Sequence, residues 1–401
     1  MTRAGVLRAL APSEKIHAVK ESYIGYTVRA AGRLDPAALT TAFEAVYRAY
    51  PHLSARVEFT GDGVVLAESE DSAVRPEVRF TDGDPGKPLA GLEVDQHRSL
   101  SALNVVRDGD EASVCLAIQH SIADAHHATA ILSTLWSCYT DVVAGVPLDL
   151  PRHPYPRSLE DLLAERGIHA NAPAGELPVP ASPPDPVVRH VVQHRLTEAE
   201  TAALADLGHR EGVTINGLVS GVILQAEAEI RGMPPTELVY RYSVNLRSRL
   251  TPPVGATEGT NVLGGVGFKA TGGIEHDVVA IGRAIGAQLR AGLADGSVQR
   301  SILDMFSRPA AVKPWDPSLA LAVVSIMNWG VIPPMRTPDG LRLTNLHSAS
   351  RMRDTIALGG YVMSSFGGRV GIDLAWPEGD PSLPGRLECL RERLAHLTRD
   401  L

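Results

Sequence analysis

The chain has 401 residues, of which 38 are Lys or Arg and 46 are Asp or Glu, for a formal charge of −8; 44% are hydrophobic and 21% charged. That balance supplies ample apolar area for a core and excludes wholesale disorder. It also argues against a nucleic-acid binder, because backbone phosphates demand a basic face and no Lys/Arg cluster supplies one. At roughly 150 residues per domain, the length implies two large domains.

Met1 to Lys20 carries Arg3, Arg8, Glu14 and Lys15 without a sustained apolar stretch, so it lacks the middle region of a signal peptide. A β-like segment, Tyr23 to Ala30, precedes Asp35-Pro36, an N-cap and first-turn proline that open a helix. Leu39, Phe43, Val46 and Tyr47 share one face of that helix, and Pro51 ends it. Strand-like runs follow at Ala55 to Phe59, Gly63 to Ala67 and Leu103 to Arg107. In Ser113 to Gln119, Val114, Leu116 and Ile118 face one side while Cys115, Ala117 and Gln119 face the other, the period of a strand. It ends at His120. After a polar break, Ile131, Leu132, Leu135, Trp136, Tyr139 and Val142 predict a helix from about His126 to Val143.

Between Gly145 and Pro186 prolines crowd the chain, among them Pro173, Pro178, Pro180, Pro183 and Pro184, and proline continues neither a helix nor a sheet ladder. Residues 171–187 therefore read as a crossover linker between an N-terminal domain, 1–170, and a C-terminal domain, 188–401. The second unit begins with a strand at Val188 to Leu196 and a capping box, Thr197-x-x-Glu200. A helix at Ile215 to Ile230 and strands at Leu238 to Leu246, Leu321 to Met327 and Leu341 to Leu346 follow. Tyr361 to Phe366 and Val370 to Trp376, joined through Gly367-Gly368, predict a hairpin. A last helix carries Leu383, Leu387, Leu390, Leu394 and Leu397. Mixed elements in two halves predict α/β sandwich domains.

The most apolar run, Leu319 to Ile332, is interrupted by Asn328 and is shorter than the roughly 20 residues a membrane span needs. Cys115, Cys138 and Cys389 are an odd number without a C-x-x-C pair, so the chain encodes neither a disulfide framework nor a zinc knuckle. These features fit a cytoplasmic protein.

The stretch Gln119-His120-Ser121-Ile122-Ala123-Asp124-Ala125-His126-His127 is the most polar segment attached to an apolar strand. A neutral imidazole at His120 can take a proton from a hydroxyl or amine and hand it on. Asp124 either orients that ring or holds the loop. His120, Asp124 and His126 or His127 also form a formal metal set, which requires their convergence on one point. Ser121 lacks a G-x-S-x-G elbow, and Gly264-Gly265-Val266-Gly267 lacks the third glycine of a dinucleotide fingerprint and reads as a bulged strand or turn. Cys115, inside its strand, reads as a buried hydrophobe.

His120-x-x-x-Asp124 resembles the H-x-x-x-D motif of the thioester-dependent acyltransferases, which include chloramphenicol acetyltransferase, plant alcohol acyltransferases and peptide-synthetase condensation domains. Gly32 to Leu39 through Tyr50-Pro51-His52-Leu53 resembles the first helix of condensation domains and its exit. Asp124 to His127 with the helix to Asp141 resembles the polyketide-associated acyltransferases typified by phthiocerol dimycocerosyl transferase. Ser243 to Pro253, followed by Thr257 to Gly264, resembles the matching second-half stretch.

The resemblance implies two chloramphenicol-acetyltransferase-like α/β sandwich domains forming a pseudo-dimer with a central channel and His120 at its middle. It implies no resident cofactor, a phosphopantetheine or coenzyme A thioester as donor, an acyl carrier protein as partner, and a small-molecule or carrier-bound hydroxyl as acceptor. His120 is then the general base for direct attack, without an acyl-enzyme. Asp124 and Arg247 form a structural pair, and Gln119, Ala125, His126 and Asn261 are candidate channel residues. Gln119 stands where condensation domains carry a second histidine, and Ala125 where they carry glycine, so the Ala125 side chain narrows the channel or excludes a left-handed backbone. Amide formation on an amine, and a carrier-binding relative without turnover, are the alternatives.

Overall fold

The computed structural model describes residues 5–61, 63–68, 77–173, 175, 184–307, 322–353 and 359–399. The first half comprises β1 (Val6–Ala9), α1 (Pro12–Val19), β2 (Tyr23–Ala31), α2 (Pro36–Ala49), β3 (Arg56–Thr60), β4 (Gly63–Ala67), β5 (Val78–Asp82), β6 (Ser101–Asp108), β7 (Glu111–Gln119), α3 (Ala125–Val143) and α4 (Leu159–Ala164). The second comprises β8 (Pro186–Arg195), α5 (Glu198–Glu211), α6 (Ile215–Arg231), β9 (Val239–Asn245), β10 (Leu263–Phe268), α7 (Val278–Ala294), α8 (Ser297–Phe306), β11 (Val323–Val331), β12 (Arg342–Arg353), β13 (Gly360–Phe366), β14 (Arg369–Pro377) and α9 (Leu383–Arg399).

Local signals act as the sequence predicts. The Asp35 carboxylate accepts from the N–H groups of Ala37 and Ala38 to cap α2, which buries Leu39, Phe43 and Val46 completely. The Thr197 hydroxyl and Glu200 form the capping box of α5. At the β13–β14 hairpin, Gly367 and Gly368 have φ of +58° and +74°, the two left-handed residues that a tight turn between twisted strands requires.

Eleven strands form one sheet in the order β10-β9-β11-β13-β14-β8-β12-β2-β7-β6-β5, and β1, β4 and β3 form a small second sheet. The two halves meet at β12, which runs antiparallel to β2 along most of its length and to β8 at its end. One apolar core lies under α2 and α3 and takes Trp329, Ile332, Leu346 and Val362 from the second half. The other lies among α6, α7 and α9 and takes Leu159, Leu162 and Leu163 of α4 from the first. Each half thus contributes side chains to its neighbour's core, and the architecture is mixed α/β.

Several elements depart from the sequence reading. β12 covers twelve residues, where the apolar pattern marks only 341–346. Two of its polar residues bond across the seam: Asn345 donates to Gln193 at 2.7 Å and the Ser348 N–H to Asp373 at 2.6 Å. The glycine-rich Gly264 to Gly267 is a regular strand in continuous register with β9. Gly264 is required there, because a Cβ would lie 2.5 Å from the Val298 carbonyl oxygen of α8. The proline-crowded stretch contains α4, and about half of the linker 171–187, residues 174 and 176–183, lies outside the described residues. Among the described residues, no helix is long and apolar enough to cross a membrane.

Candidate active site

The site begins where β7 ends. Ala112 to Gln119 are all buried between β2 and β6, so the strand delivers the next residue to a fixed point. The His120 N–H donates to the Ser22 carbonyl at 2.7 Å, extending the β2 pairing by one bond. The half-buried His120 ring places Nδ1 2.9 Å from the Ala123 carbonyl oxygen. A carbonyl only accepts, so Nδ1 carries the proton and Nε2 keeps its lone pair. Burial lowers the His120 pKa below the usual imidazole value, against the opposing pull of the Ala123 carbonyl and the Asp124 charge. The ring is therefore neutral at neutral pH, with its basic nitrogen free.

Asp124 caps α3. One carboxylate oxygen accepts from the His127 N–H at 3.0 Å; the other accepts from Arg247 Nη1 at 2.7 Å and the Val262 N–H at 2.9 Å. Its oxygens thus go to the loop and the second half rather than to the His120 ring. Burial alone would raise this carboxyl, but the Arg247 charge and hydrogen bond, with the His127 N–H, hold it below its ordinary value. Arg247, 6% exposed, also donates Nε to the Ala256 carbonyl at 3.1 Å and Nη2 to that of Gly259 at 3.4 Å.

Four consecutive residues of the second half grip this loop. The Gly259 carbonyl accepts from His127 Nδ1 at 3.0 Å, and the Thr260 carbonyl from the Asp124 N–H at 3.0 Å. Asn261 Nδ2 donates to the His120 carbonyl at 2.7 Å, and the Val262 N–H completes the set on Asp124. The Thr260 hydroxyl donates to Glu14 of α1 at 2.8 Å. Residues 259–262 therefore fix the His120–Asp124 loop from across the interface of the halves.

The other candidates fall differently. Gln119 is fully buried; its amide nitrogen donates to the His17 carbonyl and to Gln96, and its oxygen accepts from the Ser121 N–H. Ala125 is the first residue of α3, and Glu21 is the only non-glycine with positive φ among the described residues, so the alanine meets no backbone conflict. His126 is half-buried, 3.9 Å from where a Cβ on Gly330 of β11 would lie. His127 is fully buried, and burial pushes its pKa down to about 4 against the pull of Asp124. Among the described residues, no group of three or more His, Cys, Asp or Glu is arranged to hold a metal ion.

His17 of α1, absent from the residues the sequence singles out, sets its ring at a tilt against that of His120 with centroids 4.1 Å apart. A local signal exists in Pro12-Ser13-Glu14, a first-turn proline followed by an acidic residue, which opens a helix leading to His17. The role of Asn261 as a clamp on the His120 backbone has no such signal, because the two residues are far apart in sequence.

Residues 185–375 match the family model described as phthiocerol/phthiodiolone dimycocerosyl transferase C-terminus. The phthiocerol/phthiodiolone dimycocerosyl transferase of Mycobacterium ulcerans is 33% identical over 392 residues, 93% of each chain. The structure of polyketide synthase associated protein 5 from Mycobacterium tuberculosis superposes with a TM-score of 0.82 at 28% identity, covering 99% of both chains. The first condensation domain of the CDA synthetase shares the fold, with a TM-score of 0.69 at 15% identity over 98% of this chain and 97% of that one. With its H-x-x-x-D loop held across two α/β halves, this chain belongs to the phthiocerol/phthiodiolone dimycocerosyl transferase family and is an acyltransferase.

Proposed function

We propose that the chain moves an acyl group from a carrier-protein or coenzyme A thioester to a hydroxyl, with His120 as general base and no acyl-enzyme. The observation that carries this reading is the Nδ1 to Ala123 contact at 2.9 Å, which leaves the basic Nε2 of a neutral imidazole available. His120 Nε2 takes the proton of the acceptor hydroxyl as its oxygen attacks the thioester carbonyl carbon. The tetrahedral intermediate collapses, the carbon–sulfur bond breaks, and the imidazolium returns the proton to the departing sulfur. The products are an ester and a thiol.

Asp124 and Arg247 are structural in this scheme; they hold the loop and take no proton. The halves 1–170 and 188–401 flank a channel with His120 midway, so that donor and acceptor approach from opposite faces. Ala125, His126 and Asn261 lie along that path, whereas the buried amide of Gln119 serves the loop's framework. The thioester is a substrate, and no resident cofactor is required. The relatives' names support a lipid or polyketide setting. Three free thiols at Cys115, Cys138 and Cys389 suit the reducing cytoplasm.

The test is incubation with short- and long-chain acyl-coenzyme A and acyl-carrier-protein thioesters, each with 1-octanol or octylamine, followed by product and intact-protein mass spectrometry. Ester formed only when both partners are present, with the protein mass unchanged, is the expected result. A competent acyl adduct on the protein contradicts direct transfer, and amide in preference to ester reassigns the acceptor to an amine.

A further inference from the structure

We propose that His17 of α1 is a positioning residue for His120: its ring is the wall against which the His120 imidazole is held while Nε2 takes and returns a proton. This rests on the general-base reading of His120. The two ring planes are inclined by 34°, with centroids 4.1 Å apart, so the rings lie against each other at a tilt.

The backbone of His17 is tied into the same place. Its carbonyl accepts from Gln119 Nε2 at 3.1 Å, the side chain just before His120, and from the Ser22 N–H at 3.0 Å. Ser22 in turn receives the His120 N–H. Ring and carbonyl of His17 thus bracket His120. An eight-residue helix has little stability of its own, and α1 is held by Glu14, which pairs with Arg8 at 2.6 and 2.7 Å and accepts from Thr260 of the second half.

The ring also suits its neighbour's chemistry. When His120 becomes imidazolium, a neutral π-face beside it is favourable and a second cation is not. Burial, then the charges of His120 and Lys20, hold the His17 pKa well below the usual imidazole value. The other charged groups facing the pair are Asp124 from the start of α3 and, behind it, Arg247 from the second half.

The test is an NMR titration of the His120 ring in histidine-labelled protein, assigned by loss of its signal in His120→Gln, combined with kinetics of folded variants. In His17→Ala, water reaches the ring, so the His120 pKa rises toward about 6.5 and the acid limb of the pH–rate profile moves with it. Turnover falls about tenfold or more with KM within about threefold, the signature of a misplaced catalytic group. His17→Phe retains the face and keeps both readouts near wild type. An unchanged His120 titration in His17→Ala, or His17→Phe behaving like His17→Ala, overturns the inference. If His17→Ala does not fold, His17→Leu fills the volume without a ring, and wild-type behaviour there overturns it equally. Full turnover in His120→Ala sinks the general-base reading itself, whereas its loss there with normal His17→Ala sinks only the role of His17. If no substrate pair turns over, the titration alone decides.

Discussion

Asp124 and Asp373 are both carboxylates buried at joins of the fold, 0% and 3% exposed, yet their surroundings push them in opposite directions. Asp124 faces the guanidinium of Arg247 and is held below its ordinary pKa. Asp373, on β14, is raised to about 6 because burial outweighs the neutral donors it has, the Ser348 N–H at 2.6 Å and Gln193 Nε2 at 2.8 Å. Both join separate parts of the chain. Asp124 binds the His120 loop to a residue 123 positions away, and Asp373 staples β14 to β8 and β12 at the seam. The comparison shows that a buried carboxylate with a cation fixes a loop as a charged pair, whereas one with dipoles alone fixes strands at the expense of a penalised charge.

The largest effect expected is from Arg247→Ala, which leaves Asp124 charged and buried without its cation. It should cost about 3–5 kcal/mol in urea denaturation and abolish turnover, because the loop carrying His120 loses its anchor. A loss of turnover with unchanged stability would separate the anchoring of the loop from the stability of the fold, which the pair is expected to serve together.

Exchanging each carboxylate for its amide sharpens the contrast. Asp124→Asn strands the guanidinium of Arg247 and should cost about 3 kcal/mol. Asp373→Asn removes a charge that burial penalises and keeps one acceptor, so at pH 8 it should change stability by no more than about 1 kcal/mol. Equal losses at the two positions would remove the distinction.

Their pH dependences have opposite sign. Asp124 is lowered from an unfolded value of about 3.9, so its contribution is present above that value and fades as pH falls through the folded pKa. Asp373 is raised to about 6, so the folded state binds more protons between about 3.9 and 6, and its contribution fades as pH rises through that window. Denaturation of wild type and each amide variant at a series of pH values should show the Asp124→Asn deficit shrinking in acid, and wild type losing ground to Asp373→Asn between about pH 4 and 6.

A small effect is also expected at Asn261, whose amide holds the His120 backbone rather than its ring. Asn261→Ala should cost about 1 kcal/mol. Turnover should fall by less than in Arg247→Ala, as read by ester formation on the same substrate pair.

The His120 loop is legible in the sequence because its signals are local: an alternating strand, His120 at its end, Asp124 four residues on, and the apolar face of α3; that Asp124 caps α3 emerges only in the structure. Arg247 carries no such signal, and only the resemblance to known acyltransferases connects it to Asp124. The seam strand β12 is hidden because the Asn345 side chain and the Ser348 N–H find partners on β8 and β14, which an apolar pattern does not record. In α7, Ile281 and Ile285 are buried at helical spacing, but Gly282 between them and Gly286 and Gly292 beyond depress helix propensity. Gly282 is there for packing: a Cβ would lie 3.0 Å from the Gly217 backbone of α6.

The most direct test of the central claim is the rate of ester formation by His120→Ala, shown by its thermal melt to be folded, beside wild type. The account predicts unchanged stability with turnover reduced by about a hundredfold or more, the contribution of a positioned general base. Turnover within a few-fold of wild type would contradict it.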